Sequence, residues 1–237
     1  MIKIILLDID GVLVYPGGYR AALRATVNHF IGQHFEIDEE TLTELEGRGI
    51  SCEWDMIPLL LASYWTDILS RQPMQDLPPD VLSAGIEINR QRKVDSPIRL
   101  VVPEFPLIAG QYPAETAFRA GCFLSIPYGL RKNLLTDTRD IRKSHTMRVL
   151  QHYTLGSEKF TETYCLPEEF ETEPFLLTRD KSLIDHEIRT RLFHPNHRLA
   201  AFTSRPCAPR GKFMLHISVM RPKLNLPWSW SVFLIFL

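Results

Sequence analysis

The chain has 237 residues, 45% hydrophobic and 23% charged, with a formal net charge of -1 at neutral pH. That length supports one full core, or a core domain with a smaller one appended. The near-neutral balance gives no electrostatic reason to expect nucleic acid or an anionic membrane surface as partner.

The chain opens on "IILLDIDGVLV" (4–14). Residues 2–8 are Ile and Leu apart from Lys3 and the terminal Asp8, without alternation from Ile4 to Leu7, which predicts a parallel strand buried on both faces. Asp8, Asp10 and Gly11 end it, and these acids leave the apolar run too short for a secretory signal. A turn, "YPGG", leads to a predicted helix over 19–32. Its Ala22, Leu23, Thr26, Val27 and Phe30 recur at helical spacing, and Gly32 is its stop. Strand, polar turn and helix in that order begin an α/β unit.

The rhythm then changes. "DEETLTELEGRG" predicts a short acidic helix, and "EWDMIPLLLASYWTDIL" a longer apolar one in which Pro58 is tolerated only in the first turn. "LPPDVLSAGIEINRQR" starts a third helix at Pro-Pro-Asp. Residues 97–110 are broken by Pro97, Pro103 and Pro106 and read as loop or short strand. "TDTRDIRKSHTMRVLQHYTLG" and "SLIDHEIRTRLFHP" are helical in pattern, whereas "SEKFTETYCLP" reads as short strand or turn. "HRLAAFTSRP" (197–206) returns to the opening theme, a short apolar strand from Leu199 to Phe202 ending in the hydroxyls of Thr203 and Ser204. The chain thus divides into core segments at 1–30 and 190–210, a mainly helical insertion at 31–189, and an aberrant tail at 211–237.

Two carboxylates at the C-terminal end of a buried strand stand where open α/β sheets bind their ligands. One carboxylate can attack an electrophile while the other moves protons. Asp-x-Asp-Gly also begins Ca²⁺ loops, but those need an oxygen ligand where Val12 stands. Strand-end turn chemistry alone is the remaining alternative.

"IILLDIDGVLV" resembles the first motif of the haloacid dehalogenase (HAD) superfamily, and "LAAFTSRP" is similar to its second. The resemblance implies an α/β fold: a Rossmann-like core with a parallel sheet and a large helical cap inserted between the two motifs. It implies Asp8 as nucleophile, Asp10 as general acid/base, and Thr203, or failing it Ser204, as phosphate binder. The Asp8 carboxylate and the Asp10 backbone carbonyl would also hold Mg²⁺. The implied reaction is phosphomonoester hydrolysis through an aspartyl-phosphate, on a small phosphorylated metabolite whose identity the cap chooses.

The family's two later motifs, a basic residue and an acidic pair completing the Mg²⁺ site, have no counterpart. Glu187 is the last acidic residue, and Lys212 and Lys223 stand in no strand–loop–helix context. A catalytically inactive HAD-like protein, with a binding role at most, is therefore the alternative. Its C-terminal core strands are expected to be missing, which would leave "IKIILL" as an apolar edge. From Arg210 the local signals disagree with an α/β fold. With favourable codons, a one-base shift of frame turns Ser218 onward into G-Y-A-P-E-A-E-L-A-L-E-L-V-G-L-P-D-I-P, an acidic amphipathic helix. The sequence thus predicts a tail translated out of frame, or truncated, after about residue 209.

Three further features compete with plainer readings. His194 and His197 form an H-x-x-H around Pro195 and Asn196, which reads as a turn before a metal pair. "RDIRKSH" (139–145) is basic enough to meet a phosphate from the cap, though a solvated helix face is the simpler reading. Trp54, in "SCEWD" (51–55), lines a substrate pocket or packs. Cys52, Cys122, Cys165 and Cys207 include no C-x-x-C pair, which suits reduced thiols in a cytoplasmic protein. "WSWSVFLIFL" is about half the ~20 residues a membrane span needs, so a soluble chain is expected.

Overall fold

The structure, a computed structural model, describes residues 3–32, 34–93, 97–193, 195–202, 218–219 and 235–236. In chain order its elements begin β1 (Lys3–Asp8), β2 (Val14–Tyr15), α1 (Gly17–Ile31), α2 (Glu39–Gly47) and α3 (Glu53–Arg71). Then come α4 (Val81–Gln91), α5 (Pro113–Arg119), α6 (Tyr128–Leu135), α7 (His145–Leu155) and α8 (Ser157–Tyr164). The remainder are α9 (Phe175–Arg179), β3 (Lys181–Ser182), α10 (His186–Leu192), β4 (His197–Phe202), β5 (Ser218–Val219) and β6 (Ile235–Phe236). The fold is mixed α/β and mostly helical, with one parallel pair of strands among the described residues.

Two compact units share the chain: residues 1–18 with 175–237, and residues 19–174. The sequence placed these boundaries at 30/31 and 189/190. The difference arises because α1 buries Ala22, Leu23, Thr26, Val27 and Phe30, its periodic face, within the helical unit. The backbone carbonyl of Phe30 also accepts from Asn89 Nδ2 at 3.0 Å, which fastens α1 to α4.

In the helical unit, local chemistry sets most helix ends. Asp38, Asp80 and Ser144 are N-caps, accepting from the N–H groups of Thr41, Ser83 and Met147 at 2.8, 2.8 and 3.2 Å. Gly32 ends α1 with φ +69°. The centre is α3, apolar on every side, with Leu59, Leu60, Leu61, Tyr64, Trp65 and Ile68 all buried. It packs against α5, α6 and α7. Pro58 lies in its second turn and not its first; the helix continues through it and buries the ring. Residues 136–144 are turns, so the predicted helix starts only at its Ser144 cap. Residues 157–164 are helical, not the short strand or turn the sequence suggested.

In the other unit, β1 and β4 pair in parallel, with Ile5 opposite Leu199 and Asp8 opposite Phe202. Leu199 and Ala200 are buried. The expectation that β1 is buried on both faces fails: Ile4 and Leu6, which share a face, are 78% and 58% exposed. Among the described residues β1 pairs with one strand only, β4, so its other edge has no strand partner there. β2 pairs antiparallel with β3, and β5 with β6, which runs close to β4. Gly17 is required where the end of α9 approaches: an added Cβ would lie 2.5 Å from the Arg179 carbonyl oxygen. Thr203, Ser204 and His194 lie outside the described residues, as does most of the 211–237 tail. Among the described residues no helix is long and apolar enough to cross a membrane, and Cys52, Cys122 and Cys165 are free thiols.

Candidate active site

Asp8 is the last residue of β1, and the parallel register sets it beside Phe202, the last residue of β4. Both strands therefore end together, and the residue after Phe202 in sequence is Thr203. Beyond Asp8 the backbone turns at once. Gly11 adopts φ +76°, a conformation other residues enter only with strain. Its N–H donates to the Val14 carbonyl at 2.8 Å, while the N–H groups of Leu13 and Val14 return to the Ile9 carbonyl at 3.0 and 2.9 Å. This closed loop holds Asp10 in a single bridge with Val14. From there Val14 enters the β2–β3 pair, and Leu183 N–H donates to the Leu13 carbonyl at 2.9 Å. Asp8 and Asp10 are both half-buried. The carboxylates thus sit at one end of a strand pair, on a turn braced from both sides.

The other acids of this unit are engaged in structure. Asp180 accepts from the N–H of Gly18 at 2.8 Å, at the start of α1. Asp185 caps α10 through the Ile188 N–H at 2.7 Å, and Glu187 pairs with Arg191 at 2.6 Å. Among the described residues no group of three or more His, Cys, Asp or Glu could hold a metal ion. The donor chemistry of Asp8 and Asp10 nonetheless suits Mg²⁺, which binds through one or two carboxylates and completes its shell with water and phosphate oxygens.

The comparisons with known proteins bear on the fold. A crystal structure solved as a target of the Northeast Structural Genomics Consortium is similar, with a TM-score of 0.57 at 18% identity. The match covers 87% of this chain and 63% of that one, so this chain spans less than two thirds of its neighbour's length. At that identity the likeness concerns fold alone. No family model and no curated protein matches the chain.

The remaining sequence candidates have structural partners. In "RDIRKSH", Arg139 pairs with the buried Asp55, Lys143 with Asp137 at 3.1 Å, and His145 with Asp80 at 3.3 Å. Trp54 stacks under the Arg139 guanidinium, 4.8 Å from ring centre to carbon. His197 Nδ1 lies 3.1 Å from the Leu192 carbonyl, a turn contact. Sequence reasoning missed a cluster around His152. Its ring is fully buried in α7 and stacked on Phe160 at 3.7 Å. A histidine amid apolar helix positions was the available signal.

Proposed function

We propose that the chain is a HAD-like hydrolase of phosphatase type, acting on a small phosphorylated metabolite. The observation carrying this reading is the parallel register of Asp8 with Phe202, with Asp10 two residues on in a glycine-enabled turn. Asp8 attacks phosphorus while the bond to the leaving oxygen breaks, and Asp10 supplies the proton that oxygen needs. Asp10, now a carboxylate, takes a proton from water as that water attacks the aspartyl-phosphate. Inorganic phosphate leaves and Asp8 is restored. Mg²⁺, held by the Asp8 carboxylate and the Asp10 backbone carbonyl, would offset the negative charge brought together by carboxylate and phosphate. Thr203, with Ser204 as the alternative, follows β4 directly in sequence and is the proposed phosphate binder. Residues 19–174 are the proposed cap, which excludes water and selects substrate.

The test is hydrolysis of p-nitrophenyl phosphate with Mg²⁺, comparing the parent chain with Asp8→Asn. Turnover that disappears in Asp8→Asn, with the circular dichroism spectrum retained, supports the reading. Folded parent protein without Asp8-dependent turnover overturns it. The second reading, a non-catalytic HAD-like protein, is favoured by the commitment of Asp180, Asp185 and Glu187 to helix starts and an ion pair.

A further inference from the structure

The segment after α8, "CLPEEFETEP" (165–174), combines one aromatic residue with four glutamates. Cys165 turns the chain out of α8 with φ +52°. The segment then folds back and is fastened at three points. Ser157 Oγ donates to the Phe170 carbonyl and accepts from the Thr172 N–H, each at 2.8 Å. Ser157 N–H donates to the Thr172 carbonyl at 3.2 Å. The Phe170 ring lies among His29, His152 and Tyr153, with centroids 4.9, 4.7 and 5.1 Å away.

The third fastening is chemically peculiar. Glu169 N–H donates to His152 Nε2 at 3.3 Å, so that nitrogen carries no proton. The proton therefore sits on Nδ1, which is buried and has no hydrogen-bond partner among the described residues. Geometry thus admits only the neutral imidazole. A proton on Nε2 would oppose the Glu169 N–H and place a cation between Phe160 and Phe170. Three charged or titratable groups act on this ring: Arg148 from its own helix, His29 from α1 and Glu169 from the segment itself. Arg148 already pairs with Glu169 at 3.3 Å.

We propose that residues 165–174 are a proton-operated strap, in which uptake of one proton by His152 releases Glu169–Thr172 and uncovers the aromatic box around Phe170. The helical core stays folded throughout. This device stands apart from the chemistry proposed for Asp8. Burial holds the His152 and His29 imidazoles below the ordinary histidine value, with the nearby Glu169 acting in the opposite direction. Opening the strap removes that burial and so takes up a proton. Glu158, Glu162, Glu168 and Glu171 line a cleft of about 900 Å³ against the strap.

The experiment is hydrogen exchange of the full-length chain at pH 7.5, 6.5 and 5.5, corrected for intrinsic exchange. Protection of the Glu169 and Thr172 amides should fall by up to about tenfold per pH unit below about 6.5, the ordinary histidine value. Amides of Leu59–Ile68 in α3 should keep theirs. In His152→Gln, whose side-chain oxygen accepts the Glu169 N–H without titrating, the strap should stay docked and lose most of its pH response, the remainder belonging to His29 beside Phe170. Unchanged strap protection, parallel loss in α3, or an undiminished pH response in His152→Gln would each overturn the proposal. Should glutamine fail to seat the strap even at pH 7.5, the ring-proton shift of His152 in the parent decides. Its midpoint must coincide with strap opening, and a separate midpoint overturns the idea.

Discussion

Asp55 is the acid that the fold isolates most completely. It is 1% exposed, and such a carboxylate persists only where partners replace its water. Arg139 donates to one of its oxygens and Ala114 N–H to the other, the latter at 3.2 Å. The guanidinium lies between the Trp54 and Tyr112 rings, 4.8 and 4.5 Å from their centres. Burial pushes the Asp55 carboxyl above the usual range, with Arg139 and the Ala114 N–H pulling it back. Burial also pushes the neighbouring Cys52 thiol up to about 11, so it is no thiolate nucleophile at neutral pH. Asp55→Ala leaves the part-buried Arg139 charge without its carboxylate, with an expected loss of about 3 kcal/mol, the low end for a broken buried pair. The check is the urea midpoint at constant slope. Replacing both partners, as Asp55→Leu with Arg139→Met, should recover most of that loss, since two apolar groups leave no orphan charge. A single variant within about 1 kcal/mol of the parent would reduce the pair to a surface contact.

Where helices cross, one glycine makes the close approach of α1 and α4 possible. A Cβ on Gly85 would lie 2.9 Å from the Phe30 carbonyl oxygen, a backbone atom that cannot swing aside. Gly85→Ala should gain about 1 kcal/mol of helix propensity. It should also lose about 1–3 kcal/mol to overpacking. The expected net effect is a lower melting temperature. Gly47 on α2 is the control: a Cβ there would meet nothing within 4 Å, so its alanine variant should melt higher. A Gly85→Ala protein melting above its parent would mean that α1 shifts readily on α4. Elements with local signals were legible in the sequence: Asp38 and Asp80 announce their helices, Gly32 stops one, and the apolar run before Asp8 is a strand. α8 was not legible, because "KFTETY" alternates like a strand while its conformation follows from burying Phe160 against His152. The Asp55–Arg139 pair was equally hidden, since its partners stand 84 residues apart and only the packed helices join them. The strand ending at Asp8 was readable because its signal is local, whereas the exposure of Ile4 and Leu6 depends on what packs against the faces of β1.

Across the molecule, protonation couples most strongly to the helical unit. His29, His145 and His152 are each held below the ordinary histidine value, in every case chiefly by burial. Folded, they bind fewer protons than the unfolded chain does at the same pH. Their contribution to stability is therefore complete above about 6.5, the unfolded value, and declines as pH falls towards their folded values. Two carboxylates at helix starts are shifted in the stabilising direction at neutral pH. Asp38 is lowered by the Thr41 N–H, and Asp80 is lowered by Ser83 and His145 against the raising effect of burial. Their contribution holds above about 4, the unfolded carboxylate value, and is lost below it. Asp55 works the other way, because its raised carboxyl favours the folded state once protonated and softens the acid limb. The urea midpoint of the parent should thus be level from about pH 8 to 7, decline from about 6.5 downward, and steepen again below about 4. His152→Gln should remove part of the first decline and leave the share owed to His29 and His145. A midpoint independent of pH between 7.5 and 5.5 would show that these imidazoles titrate alike folded and unfolded, which a ring buried as fully as His152 does not permit without the strap already open.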